Sequence, residues 1–135
     1  MTGKILLALP PDRQLRILNI LEAENYDVTL AIDAYRAASL LATDNRYDLV
    51  IVDADLPGGG WKPTLEKVIA SRPECEVIVY SRCGEEDLWA DVIQSGAFDL
   101  VPEPIDRGEL LRIVNSARAS EYLRRFIPVH IAQAS

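Results

Sequence analysis

The stretch Tyr47-Asp48-Leu49-Val50-Ile51-Val52-Asp53-Ala54-Asp55-Leu56-Pro57-Gly58 decides the fold. Leu49 to Val52 are apolar without alternation, which fits a strand covered on both faces and is too short for a helix. The run stops at Asp53, and Pro57 followed by Gly58, Gly59 and Gly60 excludes regular structure beyond it. Short apolar runs of the same kind recur at Ile5 to Leu9, Val28 to Ile32, Val77 to Tyr80 and Phe98 to Val101, with amphipathic segments between them. Strands alternating with helices predict an α/β domain whose parallel sheet is covered by helices on both sides.

Period and punctuation place the helices. Leu15, Leu18 and Leu21, with Ile17 beside them, mark one stripe between Asp12 and Ala23, and Pro10 and Pro11 supply its start. Asp33 caps a second helix with Tyr35, Ala38, Leu40 and Leu41 as its apolar positions. A third spans roughly Pro63 to Ala70, a fourth runs from about Glu85 to Gln94, and a fifth starts at Asp106 and reaches Arg125. The expected organisation is one domain over 1–125, with 126–135 as a tail or a junction to a further region. Trp61 and Trp89 are packing residues by default, and an exposed Trp61 would make a partner-binding anchor.

The chain has 135 residues, 49% of them hydrophobic, enough for one core without disulfides or metals. A formal charge of −7 argues against binding a phosphate backbone directly. Cys75 and Cys83 lack CxxC spacing and read as reduced thiols in a cytoplasmic protein. No apolar run is long enough to cross a membrane.

In an open α/β sheet, ligands gather outside the carboxyl ends of the strands. Leu9, Pro10 and Asp12, Asp53 and Asp55, Ser81 and Arg82, and Glu103 and Pro104 occupy those ends. The strand and loop around Asp53, together with Glu22 to Val28, Val77 to Ser81, and Gly96 to Asp99 leading into Pro102-Glu103-Pro104-Ile105-Asp106, resemble the receiver domains of bacterial two-component response regulators. The resemblance covers roughly residues 4–125. It implies a flavodoxin-like, CheY-like sheet of five parallel strands in the order 2-1-3-4-5. It also implies that Asp53 stands at the phosphoacceptor position and Ser81 at the position of the hydroxyl that contacts the phosphoryl group.

Three departures from the family pattern follow. Ala8-Leu9-Pro10-Pro11 replaces the acidic pair that holds Mg²⁺, leaving Asp53 and Asp12 as a degraded metal site. Glu103 replaces the lysine before proline, and Leu100 stands where a signalling aromatic usually lies. Phosphoryl transfer depends on positioning and on cations that stabilise negative charge, so each inverted charge costs on the order of a hundredfold in rate. Two readings of Arg82 stay open. It joins Asp53 and Glu103 in an ion network that replaces metal and lysine, or it points to solvent while Asp53 caps the following turn.

Other residues have plainer readings. Asp12 fits a helix-start carboxylate, Asp55 faces solvent, and His130 has no catalytic partner in sequence. The expected function is a non-enzymatic signalling module, phosphorylated weakly or not at all, needing no cofactor and acting through protein contacts. Its partner would be a histidine kinase, an output domain, another signalling protein or a second copy. By resemblance the docking surface comprises Leu88 to Ile93 and Glu109 to Ile113. The alternatives are a working phosphoacceptor that holds Mg²⁺ with Asp53, Asp12 and a backbone oxygen, and a nucleotide or flavin binder. Pro10 and Pro11 lack the N–H groups that phosphate binding would use.

Overall fold

Alternation of side chains about the pleat explains the layering. In the computed structural model, which describes residues 3–43, 46–82 and 86–126, five strands alternate with five helices. The order is β1 (Lys4–Ala8), α1 (Pro11–Ala23), β2 (Asp27–Ala31), α2 (Ala34–Leu41), β3 (Leu49–Asp53), α3 (Lys62–Ser71), β4 (Glu76–Ser81), α4 (Glu86–Gln94), β5 (Asp99–Pro102) and α5 (Arg107–Phe126). The strands are parallel in the order β2-β1-β3-β4-β5, as the sequence predicts. Ile5, Leu7, Leu49, Ile51, Ile78 and Tyr80 face α1 and α5, whereas Leu6, Val50, Val52, Val77 and Val79 face α2, α3 and α4. Every residue of β3 and β4 is buried, consistent with strands covered on both faces.

Several local expectations are corrected by the packing. The buried stripe of α1 is Ile17, Ile20 and Leu21, spaced i, i+3 and i+4, while Leu15 is 68% exposed. In α2 the inward positions are Ala34, Ala37, Leu40 and Leu41, and Tyr35 points outward. Trp61 lies in the core beside Leu65 and Val68, so it is no docking anchor, but Trp89 is half-exposed. The glycine turn carries positive φ at Gly58, Gly59 and Gly60, and a Cβ at Gly60 would approach the Ala54 carbonyl to 2.9 Å. Cys83 and residues 127–135, including His130, lie outside the described residues.

Candidate functional site

The parity that buries Leu49 and Ile51 against α1 and α5 also turns Asp53 to that face, at the carboxyl end of β3. Its register partner on β4 is Tyr80, which shares the same face. Asp53 is completely buried, and both of its oxygens are engaged. Oδ1 accepts the Asp55 N–H at 2.7 Å and holds the turn, while Oδ2 accepts Nη1 of Arg13 at 2.6 Å. This is a charge-assisted pair at the edge of a cleft, with the Asp53 side chain fully covered and the Arg13 side chain 7% exposed.

Arg13 comes from the first turn of α1. Pro10 and Pro11 start that helix without a side-chain cap, and the Arg13 N–H donates to the Pro10 carbonyl. Burial alone would lower the Arg13 pKa, but the hydrogen bond and the charge of Asp53 outweigh it, so the guanidinium stays above its ordinary value. The cation predicted from Arg82 is thereby corrected: Arg82 is exposed, and Arg13 is the residue paired with Asp53. The alternative reading describes these residues better, since Arg82 is exposed and Asp53 Oδ1 caps the following turn, although Asp53 also pairs with Arg13.

Glu103 also has a different partner from the one expected. It is exposed after β5, at a cis peptide bond to Pro104, and it accepts the hydroxyl of Tyr80. Burial, then the hydrogen bond to Glu103, holds the Tyr80 phenol well above its usual pKa, so Tyr80 is the donor. Ser81 is buried at the end of β4, where it pairs in register with Pro102, and its carbonyl accepts the Glu103 N–H. The Asp12 side chain is 75% exposed and stands 3.9 Å from Arg13 Nε. Asp55 is exposed.

These donors are a poor set for Mg²⁺, which needs several hard oxygens in near-octahedral geometry. The position before Pro10 is the buried, apolar Leu9, whose carbonyl oxygen already accepts Gln14 Nε2 at 2.7 Å. Asp53 has no oxygen without a donor, and among the described residues no group of three or more His, Cys, Asp or Glu is arranged to hold a metal ion. A cleft of about 500 Å³ beside the site is lined by Arg13, Arg16, Ile17, Tyr80, Glu103 and Ile105.

Sequence reasoning missed Arg13 and Tyr80. One signal was available for Arg13: a cation in the first helical turn opposes the macrodipole, so such a residue needs a compensating anion. Tyr80 belonged to an apolar run, and only the register with Asp53 reveals its role at the site.

Comparison with known proteins agrees with this fold. The chain is 30% identical over 121 residues to the DNA-binding transcriptional regulator NtrC of Rhizobium meliloti, covering 88% of this chain and 25% of that protein. It likewise spans 25% of the C4-dicarboxylate transport regulator DctD of the same organism, so the chain corresponds to about a quarter of these relatives. A CheY-like receiver domain from Methanospirillum hungatei superposes with a TM-score of 0.81 at 21% identity, covering 92% of this chain and 99% of that one. The receiver domain of a sensor histidine kinase from Pseudomonas aeruginosa, solved with a magnesium ion coordinated in its active-site cleft, superposes with a TM-score of 0.78 at 24% identity, covering 88% and 99%. The model of the response regulator receiver domain matches residues 11–115. With the five-stranded fold and Asp53 at the end of β3, this chain belongs to the receiver domain family of two-component response regulators.

Proposed function

We propose that this receiver domain signals by docking to proteins without depending on phosphorylation of Asp53. The observation that carries the proposal is the pair of Arg13 with the fully buried Asp53, in which the arginine is covalently part of the site and takes the place of a dissociable cation. Attack by Asp53 on a phosphodonor would require its Oδ2 to leave Arg13 and a metal to be held without the missing acidic pair. Glu103 beside the cleft adds negative charge where a phosphoryl group carries its own. The reading includes no catalytic activity and no required cofactor. As in the family, partners would be a histidine kinase, an output domain or another signalling protein, met through α4, β5 and α5.

The test is intact mass after incubation with a small-molecule phosphodonor and Mg²⁺, with Asp53→Asn and a magnesium-free sample as controls. The expected result is no phosphate adduct while an ordinary receiver labels in parallel. An adduct that needs both Asp53 and Mg²⁺ would overturn the proposal and establish a working phosphoacceptor.

A further inference from the structure

We infer that the groove between α4, β5 and α5 takes a cationic amphipathic segment of a partner protein, which seats an apolar side chain against Trp89 and places Lys or Arg among the surrounding carboxylates. This inference rests on the docking reading above and adds the chemistry of the partner. The groove, about 420 Å³, has Trp89 and Pro102 at its surface and Leu100 and Ile113 at its floor. Trp89 is 51% exposed, and its Nε1–H points to Asp99 Oδ1 at 3.4 Å, a weak contact that leaves the indole face open. An indole held half out of the core on a helix is the kind of apolar anchor that interfaces bury.

The charges around it are one-sided. Glu86, Asp99 and Glu109 line the groove, and Asp87 is exposed in the same helical turn as Glu86. Among the described residues the one cation in the lining, Arg112, is held by Glu109 through two hydrogen bonds of 3.1 and 2.6 Å. Carboxylates around an open indole suit a partner cation, which gains both ion pairing and contact with the aromatic face. A second copy of this chain is a poorer occupant, because a two-fold interface would set the same acidic rim against itself.

The experiment titrates the full chain, isotopically labelled for NMR, with a short amphipathic peptide of Leu and Lys, and separately with its counterpart bearing Glu at every Lys. The Lys peptide is expected to shift the Trp89 indole, Leu100 and Ile113 resonances, with the Glu peptide at least about tenfold weaker. The exposed variants Glu86→Lys/Glu109→Lys and Trp89→Ala should each weaken binding about tenfold while retaining a dispersed native spectrum. Equal binding of the two peptides, shifts that map away from the groove, or self-association through it would overturn the inference. Repeating the titration with phosphodonor and Mg²⁺ separates the two proposals. Binding of the Lys peptide that appears only after Asp53 is labelled removes phosphorylation independence but supports the assigned partner chemistry.

Discussion

At the carboxyl end of the sheet one buried carboxylate, Asp53, meets Arg13, whose side chain is largely covered; at the amino end Asp48, Glu76 and Glu121 meet Arg46, Arg124 and Arg125. Both ends neutralise carboxylates that the core has desolvated, yet their cations sit differently. Arg46 and Arg124 are about half-exposed, at 52% and 51%, and Arg125 at 29%, whereas Arg13 is 7% exposed. At the amino end, Ser120 also donates to Glu76 and the Lys4 N–H donates to Asp48, so each of those carboxylates has a further donor. Arg124 and Arg125 complement the carboxyl-terminal dipole of α5, which gives them a local reason to be there. Arg13 opposes the dipole of α1, so the helix gives no local reason for it and Asp53 does. The amino end therefore ties α5 to the sheet through partly exposed arginines, whereas at the carboxyl end the carboxylate of Asp53 is held by a largely covered arginine of the same chain.

The largest effect should come from breaking the Arg13–Asp53 pair. Arg13→Ala leaves Asp53 buried without a counter-charge and is expected to cost about 3–5 kcal/mol in urea unfolding. The double variant Arg13→Leu/Asp53→Asn should recover most of that loss, because neither charge then remains buried. A cost below about 1 kcal/mol for Arg13→Ala would erase the contrast between the two ends. The second effect is smaller. Glu121→Gln should cost about 1–2 kcal/mol, since Arg46 and Arg125 can both turn toward water and Arg125 keeps Asp48. A loss as large as that of Arg13→Ala would show that the amino end is as intolerant of an unpaired charge as the carboxyl end.

The same contrast explains what the sequence revealed. Leu49 to Val52 and the runs of β1 and β4 report burial on both faces, which implies the parallel sheet. The edge run Val28 to Ile32 was legible only as a repeat of the same pattern, since Leu30 and Ile32 are exposed. Asp53, Ser81 and Glu103 were legible as strand-end residues because the chain itself places them there. Their partners were not, because a pair such as Arg13 and Asp53 joins residues 40 positions apart and depends on which face each side chain takes. Arg82 is adjacent to Ser81 in sequence but lies exposed, and Arg13 is remote in sequence but shares a face with Asp53. Helix faces were legible in part: Ile17, Leu21, Leu40 and Leu41 face the sheet as read, but Leu15 and Tyr35 are exposed although apolar, and Ile20 and Ala37 take inward places.

Alkaline titration sharpens the comparison because each end holds one raised acid. Cys75, near the amino end of β4, is pushed up by burial and then by Glu74, Asp48, Glu121 and Glu76. Tyr80, at the other end of the same strand, is raised by burial and Glu103, against the opposing charge of Arg13. In both cases the folded state keeps a proton that the unfolded state releases, so stability is intact below the unfolded pKa and falls as pH rises past it. The decline should begin near the ordinary thiol value of 9.0 and steepen past the ordinary phenol value of 10.0. Each group contributes about 1.4 kcal/mol per pH unit in that window. Unfolding measured from pH 8 upward should lose its first slope component in Cys75→Ala and its second in Tyr80→Phe. An unchanged slope in either variant would assign the alkaline loss to other groups.

The smallest expected effect compares how two helices begin beside the site. Asp33 precedes α2 in an extended conformation, with φ −151° and ψ 173°, and its carboxylate accepts the Arg36 N–H at 2.7 Å. Removing that acceptor in Asp33→Ala should cost about 1 kcal/mol, the usual worth of a side-chain cap. The Ala34 N–H continues to donate to the Pro57 carbonyl at 2.8 Å, so the helix start stays tied to the glycine turn. Pro10 offers α1 no side-chain acceptor, and Pro10→Ala should change stability by less than about 0.5 kcal/mol. If Pro10→Ala instead costs as much as Asp33→Ala, the fixed φ of Pro10 is holding Arg13 in reach of Asp53, and the loss should vanish in the Asp53→Asn background.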